Sequence, residues 1–252
     1  MIEIFILSLI QGITEFLPIS SSSHLLLSSK FLNFENQGLS LDVSLHIGSF
    51  AAVTLYFYKD FINFYKNKIL FLKILISSFP VMIIGFFLIE TNFIEKLRNI
   101  EIIAWTTIIF GILLYVSDKF ELEKTIKDDF NFKSVIFVGM LQIFSLIPGV
   151  SRSGIAITAA RILKFKRVDA AKISFLISIP ILGAVSIFGI NNILISESLN
   201  FTKINLAAIF LSFIFSLITI KFFLKFLSRF SLKLFIFYRV FLGIVLLTFA
   251  YL

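Results

Sequence analysis

Six long apolar stretches constrain the fold of this chain more than any other feature of its sequence. A helix needs about 20 predominantly apolar residues to cross the roughly 30 Å hydrocarbon core of a bilayer. Such stretches, the third of them short, lie at 41–58, 69–89, 102–116, 173–195, 204–224 and 234–252. Because 58% of the 252 residues are hydrophobic and only 15% are charged, a water-soluble or disordered chain is excluded. The sequence predicts an all-α polytopic membrane protein, with residues 1–252 forming a single membrane domain.

Two further apolar segments, 1–32 and 134–163, are each interrupted by a proline and a run of small hydroxyl residues. Proline breaks a helix, and broken backbone is tolerated at membrane depth only inside the protein or beside a polar cavity. We therefore expect two re-entrant helical hairpins in addition to six full transmembrane helices. The first segment has no basic n-region and no small-residue cleavage site, so we interpret it as mature protein.

The two interruptions resemble each other, which indicates an internal repeat. Pro18 lies between Q-G-I-T-E-F-L and I-S-S-S-S-H, and Pro148 lies between Q-I-F-S-L-I and G-V-S-R-S-G. One hairpin and three spans in each half make an odd number of crossings, which turns the second half upside down relative to the first. We predict an inverted repeat with pseudo-repeat halves at 1–120 and 130–252.

Basic residues cluster in alternate loops, which supports this topology independently. Seventeen Lys and Arg residues lie in the segments 59–73, 117–134, 161–172 and 221–233. Four lie in the segments 24–40, 90–101 and 196–203. By the positive-inside rule the first set is cytoplasmic, so the first hairpin enters from outside and the second from the cytoplasm. Topology thus accounts for most of the net charge of +8, and no nucleic-acid partner is expected.

Gln11 and Glu15 are four residues apart and therefore share one face of a helical segment. A carboxylate at membrane depth costs roughly 2.5 to 3.5 kcal/mol to insert, which favours a functional group in a polar cavity. The alternative is a structural carboxylate that holds two helices together by hydrogen bonding. The chain contains no cysteine, so chemistry at such a site must use oxygen and nitrogen groups.

Four consecutive serines, Ser20 to Ser23, precede His24 and an apolar run. If a helix begins here, Ser20 or Ser21 lies on the same face as His24. This arrangement suits a hydroxyl nucleophile with an imidazole acid or base. The alternative is that the serines only cap the helix.

The second serine cluster surrounds the basic side chain of Arg152. Ser151, Ser153 and Gly154 are small enough to let a ligand approach the backbone, and the helix that follows offers free N–H groups. Arg152 adds a planar fork that matches phosphate oxygens. The cluster therefore predicts an anion-binding site, and the alternative is a structural salt bridge between Arg152 and Glu15.

Three more polar residues lie within apolar stretches. Asp42 and His46 share a helical face and offer metal or proton-transfer chemistry, although a structural hydrogen bond is the commoner role of such a pair. Arg239 is expected to be a packing or snorkelling cation.

The segments from Gln11 to His24 and from Pro148 to Gly154 resemble the two signature motifs of the bacterial undecaprenyl pyrophosphate phosphatases, the bacitracin-resistance family. The resemblance spans the whole chain and includes Pro180 in an I-S-I-P segment. It implies hydrolysis of undecaprenyl diphosphate, a polyprenyl diphosphate lipid, to undecaprenyl phosphate and phosphate. This reaction recycles the lipid carrier of peptidoglycan synthesis and confers bacitracin resistance. The resemblance also implies a multi-pass protein of the bacterial plasma (inner) membrane, with an active site that opens to the outer, periplasmic face.

The resemblance also implies roles for individual residues. The expected catalytic residues are the metal-binding carboxylate Glu15, the nucleophilic or phosphate-contacting Ser21, the acid/base His24 and the phosphate clamp Arg152. The expected substrate-binding residues are Gln11, Ser20, Ser151, Ser153 and Gly154. The implied cofactor is a divalent cation, Mg²⁺ or Ca²⁺, bound through Glu15.

Two positions depart from the usual pattern of that family. Gln11 stands where the family accepts Glu or Gln, so the metal would depend more on Glu15 and on phosphate oxygens. Ser23 stands where the family usually has Gly, which gives the turn a less permissive residue.

Two other functions remain as alternatives. Inverted repeats with broken helices are also a transporter design, so a polyprenyl-phosphate flippase or transporter is the main one. A lipid phosphatase of the acid phosphatase type is disfavoured, because it needs a further histidine after its Ser-Arg pair and His46 is the only other histidine. The sequence leaves both a monomer and a homodimer open.

Overall fold

A computed structural model of the protein describes residues 2–32, 38–62, 68–91, 96–195 and 203–252. These residues form helices and turns without any β-strand, and one isolated β-bridge joins Lys124 to Phe165. The named α-helices, in chain order, are α1 (Ile2–Thr14), α2 (Ser21–Leu32), α3 (Leu39–Tyr56), α4 (Tyr58–Ile62), α5 (Lys68–Glu90), α6 (Ile100–Asp118), α7 (Ile126–Asp129), α8 (Phe132–Gln142), α9 (Arg152–Ile162), α10 (Arg167–Ile195), α11 (Lys203–Leu227) and α12 (Lys233–Tyr251). A 3₁₀ turn, Ile143–Leu146, follows α8.

Five of these helices are long and apolar enough to cross a membrane, namely Lys68–Leu88, Ile100–Asp118, Arg167–Asn191, Lys203–Leu227 and Lys233–Tyr251. They cover five of the six predicted spans, including the short one at 102–116, which belongs to a helix of 19 residues. The stretch 41–58 lies largely on α3, which is not one of the five. The prediction of an all-helical, multi-pass membrane protein is confirmed.

The outward faces of the helices are apolar, as expected for a surface in contact with lipid. Phe237 and Phe241 on α12 are 80% and 64% exposed, and Phe210 on α11 is 61% exposed. A soluble protein would expose few such side chains together. Part of the predicted loop 24–40 and most of the predicted loop 196–203 lie outside the described residues.

Helix α10 forms the centre of the bundle, because it is the most completely buried of the five long helices. It packs against α3, α5 and α9. Phe175 on α10 contacts the ring of Phe16 edge-on, with 5.3 Å between the ring centroids, and Phe16 is fully buried. The residue next to Glu15 is therefore fixed in the core, which holds the first interruption in place.

Both predicted interruptions are present. The first helix ends at Thr14 and the next begins at Ser21, so that Pro18 lies in the turn between them. In the second segment the 3₁₀ turn ends at Leu146 and α9 begins at Arg152, so that Pro148 lies in the turn. We call residues 15–20 the first turn and residues 147–151 the second turn.

At one end of the bundle, buried ion pairs join α6, α9 and α10. Arg161 is fully buried, and its guanidinium donates to four backbone carbonyls, including those of Asp118 at 3.3 Å and Phe165 at 2.5 Å. The Asp118 carboxylate accepts from Arg167 at 2.7 and 3.1 Å. These two arginines, counted among the topological charges, therefore also have a structural role.

Candidate active site

Glu15 lies where the two turns meet. Its side chain is only 5% exposed, and Oε1 accepts a hydrogen bond from Nη2 of Arg152 at 2.7 Å. Its other oxygen, Oε2, accepts from Ser21 Oγ at 2.5 Å and from Gln11 Nε2 at 3.1 Å. One carboxylate therefore joins residues of both motifs into a single polar site, although Glu15 and Arg152 are 137 residues apart.

One guanidinium nitrogen of Arg152 is paired with Glu15, and another is buried without a hydrogen-bond partner among the described residues. Nη2 forms the ion pair with Glu15 that was the structural alternative for this residue. Nη1 is buried and has no hydrogen-bond partner among the described residues. A buried charged donor without an acceptor is costly, and a phosphate oxygen would satisfy it. The ion pair thus orients Arg152 and leaves Nη1 available to an anion.

Of the two serines that the spacing offered to His24, Ser21 forms no hydrogen bond with it, and Ser20 contacts it through the backbone carbonyl. Ser21 bonds to Glu15, and the two ring nitrogens of His24 bond to the carbonyl of Ser20 at 2.7 Å and to the hydroxyl of Tyr238 at 2.5 Å. A carbonyl only accepts, so Nδ1 carries the proton of the neutral ring and Nε2 accepts from Tyr238. The serine and the histidine therefore have different partners, because α12 brings a tyrosine to the imidazole.

Ser20 and Ser151 have the same unusual backbone conformation, immediately before α2 and α9. Their φ angles are +74° and +71°, in the left-handed region that residues with a side chain rarely adopt. Ser151 Oγ caps α9 by accepting from the backbone N–H of Gly154 at 3.1 Å. Strain of this kind, costing of order 1 to 3 kcal/mol per residue, persists where the surrounding structure fixes the backbone.

The other serine hydroxyls near the turns also bond within the protein. Ser153 Oγ donates to the carbonyl of Leu17 at 2.7 Å, which ties the second segment to the first turn. The hydroxyls of Ser20 and Ser23 are 2.9 Å apart and share a hydrogen bond. Their contact with substrate stays a prediction, whereas their contribution to the shape of the turns is visible.

Arg239 connects the two turns, a role that the sequence alone did not reveal. It is fully buried on α12, and it donates to the carbonyls of Pro18 at 3.2 Å, Gly149 at 3.0 Å and Thr107 at 3.2 Å. A Cβ at Gly154 would lie 2.8 Å from Nη1 of Arg239, so glycine at this position lets the guanidinium approach without a shift. The expectation of a packing cation is confirmed, and snorkelling is excluded. Its position inside a span was the one sequence signal of a special role.

His46 also belongs to the site. Its Nδ1 lies 3.1 Å from Gln11 Nε2 and 4.0 Å from Glu15 Oε2. Gln11 Nε2 is also 3.5 Å from Ser49 Oγ, which itself accepts from Ser216 at 3.0 Å. Asp42, one turn before His46, lines the adjoining cavity instead.

The sequence matches a known protein family over almost its whole length. Residues 4–245 match the family described as bacitracin resistance protein BacA. The chain belongs to the BacA family. It is 45% identical over 251 residues to a protein of Pelagibacter ubique (strain HTCC1062) named undecaprenyl-diphosphatase, covering 99% of this chain and 98% of that protein. It is 38% identical over 262 aligned positions to a protein of the same name from Jannaschia sp. (strain CCS1), covering 98% of both.

In this BacA family member, a cavity of about 980 Å³ opens beside the polar site. Its walls include Ser22 and His46 near Glu15, Pro148 in the second turn, and Arg98 in the predicted outward segment. The cavity is large enough to hold a diphosphate group, Pro148 brings the second turn to its wall, and His46 connects it to Glu15.

The residues near Glu15 are compatible with a Mg²⁺ ion that takes most of its ligands from substrate and water. Among the described residues no group of three or more His, Cys, Asp or Glu side chains could hold a metal ion. Glu15 offers a carboxylate, and the amide oxygen of Gln11 is buried without a hydrogen-bond partner in the described part of the chain. Mg²⁺ is commonly held by one or two carboxylates plus phosphates, whereas Ca²⁺ takes 6–8 oxygen ligands. The Glu15 carboxylate and the Gln11 amide oxygen therefore suit Mg²⁺ better than Ca²⁺.

Proposed function

We propose that this protein is a membrane phosphatase that hydrolyses undecaprenyl diphosphate to undecaprenyl phosphate and inorganic phosphate. The names of the two similar proteins support the reaction. The structural observation that carries it is Nη1 of Arg152, a buried guanidinium nitrogen without a partner, beside the carboxylate of Glu15. In its cellular role the enzyme recycles the lipid carrier of peptidoglycan synthesis and thereby confers bacitracin resistance.

The terminal phosphoryl group would bind at Arg152. Nη1 donates to one of its oxygens, while Nη2 stays paired with Glu15 and keeps the guanidinium oriented. Because the site is shielded from water, the positive charge of the Arg152 guanidinium stabilises the negative charge that develops on the phosphoryl oxygens more strongly than it would in solution. The polyprenyl tail would lie along the apolar outer faces of the helices.

In the first half of the reaction, Ser21 acts as the nucleophile. Its Oγ attacks the terminal phosphorus, the bond from that phosphorus to the bridging oxygen breaks, and undecaprenyl phosphate leaves with the bonding electrons. The proton of Ser21 passes to Oε2 of Glu15, to which it is already hydrogen-bonded at 2.5 Å. Glu15 therefore takes the part of the base that the sequence assigned to the imidazole.

In the second half, water hydrolyses the phosphoserine. A water molecule attacks the phosphorus, and its proton passes to Nε2 of His24 through the Tyr238 hydroxyl, which gives its own proton to that nitrogen and receives one from the water. The bond between phosphorus and Ser21 Oγ breaks, and Oγ recovers its proton from Glu15. Inorganic phosphate leaves, and His24 releases its proton to the cavity.

A divalent cation, Mg²⁺ or Ca²⁺, is part of the proposal, and the donor set favours Mg²⁺. Glu15 and the amide oxygen of Gln11 would hold it together with diphosphate oxygens. When bound, it neutralises charge on the diphosphate.

We also propose the inverted repeat, with six spans and two re-entrant hairpins, and α3 as the sixth span. Reciprocal packing supports it: α1 packs on α11 as α8 packs on α5, and α3 packs on α11 as α10 packs on α5. The matching conformations of Ser20 and Ser151 before corresponding helices support it as well. With the basic loops in the cytoplasm of the bacterial plasma (inner) membrane, the cavity beside Arg98 opens to the periplasmic face.

Phosphate release from undecaprenyl diphosphate by the purified protein in detergent tests this function. Glu15→Gln and Arg152→Ala should each lower kcat/KM by at least about a hundredfold. The matched controls are Glu121→Gln and Arg229→Ala, which change the same residue types at exposed positions. Wild-type rates in both site variants would refute the proposed site. A protein that moves the lipid across vesicles but releases no phosphate in detergent would instead be a flippase.

A further inference from the structure

His46 has no part in the chemistry described above, yet it lies inside the site. Its Nδ1 is 4.0 Å from Glu15 Oε2 and 3.1 Å from the side-chain nitrogen of Gln11. His46 is on α3, and Gln11 and Glu15 belong to the first interrupted segment. The contact thus joins a neighbouring helix directly to the reacting carboxylate.

The orientation of the Gln11 amide follows from its other neighbour. The atom 3.1 Å from Glu15 Oε2 must be the nitrogen, because an amide oxygen placed there would face a carboxylate oxygen with no proton between them. The same nitrogen lies 3.1 Å from Nδ1 of His46, and an amide nitrogen only donates. Apart from Glu15, Nδ1 is nearer to this nitrogen than Ser49 Oγ at 3.5 Å, so the geometry directs the second N–H to Nδ1, which accepts.

A neutral imidazole carries its proton on the nitrogen that does not accept, so the proton of His46 lies on Nε2. Within the described part of the chain, Nε2 has no hydrogen-bond partner. The polar contacts of His46 there are made by Nδ1. The side chain is 26% exposed and forms part of the cavity wall. The N–H of Nε2 is thus a fixed donor available to a molecule in the cavity.

We propose that His46 is a substrate-binding residue, whose Nε2–H donates to an oxygen of the diphosphate group in the cavity. The inference rests on the proposed function and adds to it a second donor next to Glu15, besides Arg152. Gln11 is then the residue that holds His46 in the donating tautomer. The contact between Gln11 and His46 explains how the site works with an amide at position 11. The amide donates to Nδ1 and so leaves the proton on Nε2, whereas a carboxylate at that position would accept from Nδ1 and leave Nε2 without a proton.

Steady-state kinetics of phosphate release from undecaprenyl diphosphate test this role at fixed pH and saturating Mg²⁺. His46→Leu removes the donor and should raise KM by roughly 10- to 100-fold, the value of a hydrogen bond to a charged group, with little change in kcat. The inhibition constant of inorganic phosphate should rise in parallel. His46→Gln offers an amide oxygen to Gln11 and an amide N–H to the cavity, so it should restore both constants to within about threefold of wild type.

If His46→Leu does not elute as folded protein, His46→Phe keeps the ring shape without the N–H and takes its place. Unchanged KM and phosphate inhibition in the donor-free variant, with Glu15→Gln inactive, would overturn the role of His46 and leave the proposed function intact. A fall in kcat at unchanged KM would overturn it too, because it would assign His46 to the chemical step. Wild-type activity of Glu15→Gln would contradict the proposed function itself.

Discussion

The hydroxyl of Tyr238 lies 2.5 Å from Nε2 of His24, although the two residues are 214 positions apart. Their rings are nearly parallel, with 15° between the planes and 5.7 Å between the centroids. The opposite ring nitrogen donates to the carbonyl of Ser20. Two hydrogen bonds therefore fix both the tautomer and the direction of the imidazole, and one of them comes from the last helix of the chain.

Tyr238→Phe should lower kcat about tenfold and leave KM nearly unchanged, because it removes a hydrogen bond that orients His24 without removing a contact to substrate. The measurement is phosphate release from undecaprenyl diphosphate over a range of substrate concentrations. Tyr58→Phe, an exposed tyrosine on α4, is the control and should behave as wild type. An increase in KM alone would show that Tyr238 binds substrate directly.

Ser21→Ala should reduce kcat at least about a thousandfold if Ser21 is the nucleophile, because removing a nucleophile removes the covalent route. His24→Ala should slow the second half of the reaction, so that phosphoserine accumulates. Substrate with a radiolabelled terminal phosphate, followed by acid quench and mass spectrometry, would detect the label on Ser21. Ser228→Ala, at an exposed position, is the control. Substantial activity in Ser21→Ala would assign the attack to water.

Arg239→Met should destabilise the fold as well as the site. The substitution keeps most of the apolar stem but leaves three buried carbonyls, on both turns and on α6, without their donor. At roughly 1 to 3 kcal/mol per unsatisfied group, the loss should be several kcal/mol in the free energy of unfolding. Thermal unfolding in detergent measures it, with Arg229→Met as the exposed counterpart.

Arg239→Lys should recover only part of that stability. A lysine ammonium is a compact charge, whereas the planar guanidinium reaches the carbonyls of Pro18 and Gly149 from two different nitrogens. Full stability and activity in the lysine variant would mean that charge alone, without the fork geometry, holds the two turns together.

Removal of divalent cations with a chelator should abolish phosphate release, and added Mg²⁺ should restore it more effectively than Ca²⁺, because the described residues offer no group of three or more carboxylate or imidazole ligands. Gln11→Leu removes the unpartnered amide oxygen and should raise the Mg²⁺ concentration needed for half-maximal activity. Glu121→Gln, exposed and remote from Glu15 in the bundle, serves as the control. Activity that persists in chelator would exclude a role for the cation.

Much of this protein could be predicted from its sequence, because the relevant signals are local. The length and hydropathy of a stretch decide whether it can span a bilayer, and the two prolines next to serine clusters lie in turns, whereas Pro80 and Pro180 lie inside continuous helices. The sequence therefore located the long helices, the two interruptions, and the residues Gln11, Glu15 and Arg152 that meet between them. Even the alternative assigned to Arg152 proved true, since its ion pair with Glu15 exists and still leaves Nη1 without a partner.

The pairing of side chains from different helices was decided only by the tertiary structure. Spacing along α2 placed Ser20 or Ser21 on the face of His24, but the Ser21 hydroxyl bonds to Glu15, and His24 bonds to Tyr238 and to the backbone carbonyl of Ser20. Nothing in the local sequence shows that α12 reaches both turns or that α3 brings its histidine to Gln11. Such contacts depend on how each helix is rotated and packed against its neighbours, and that is set by the complementary surfaces of the whole bundle rather than by the periodicity of any one segment.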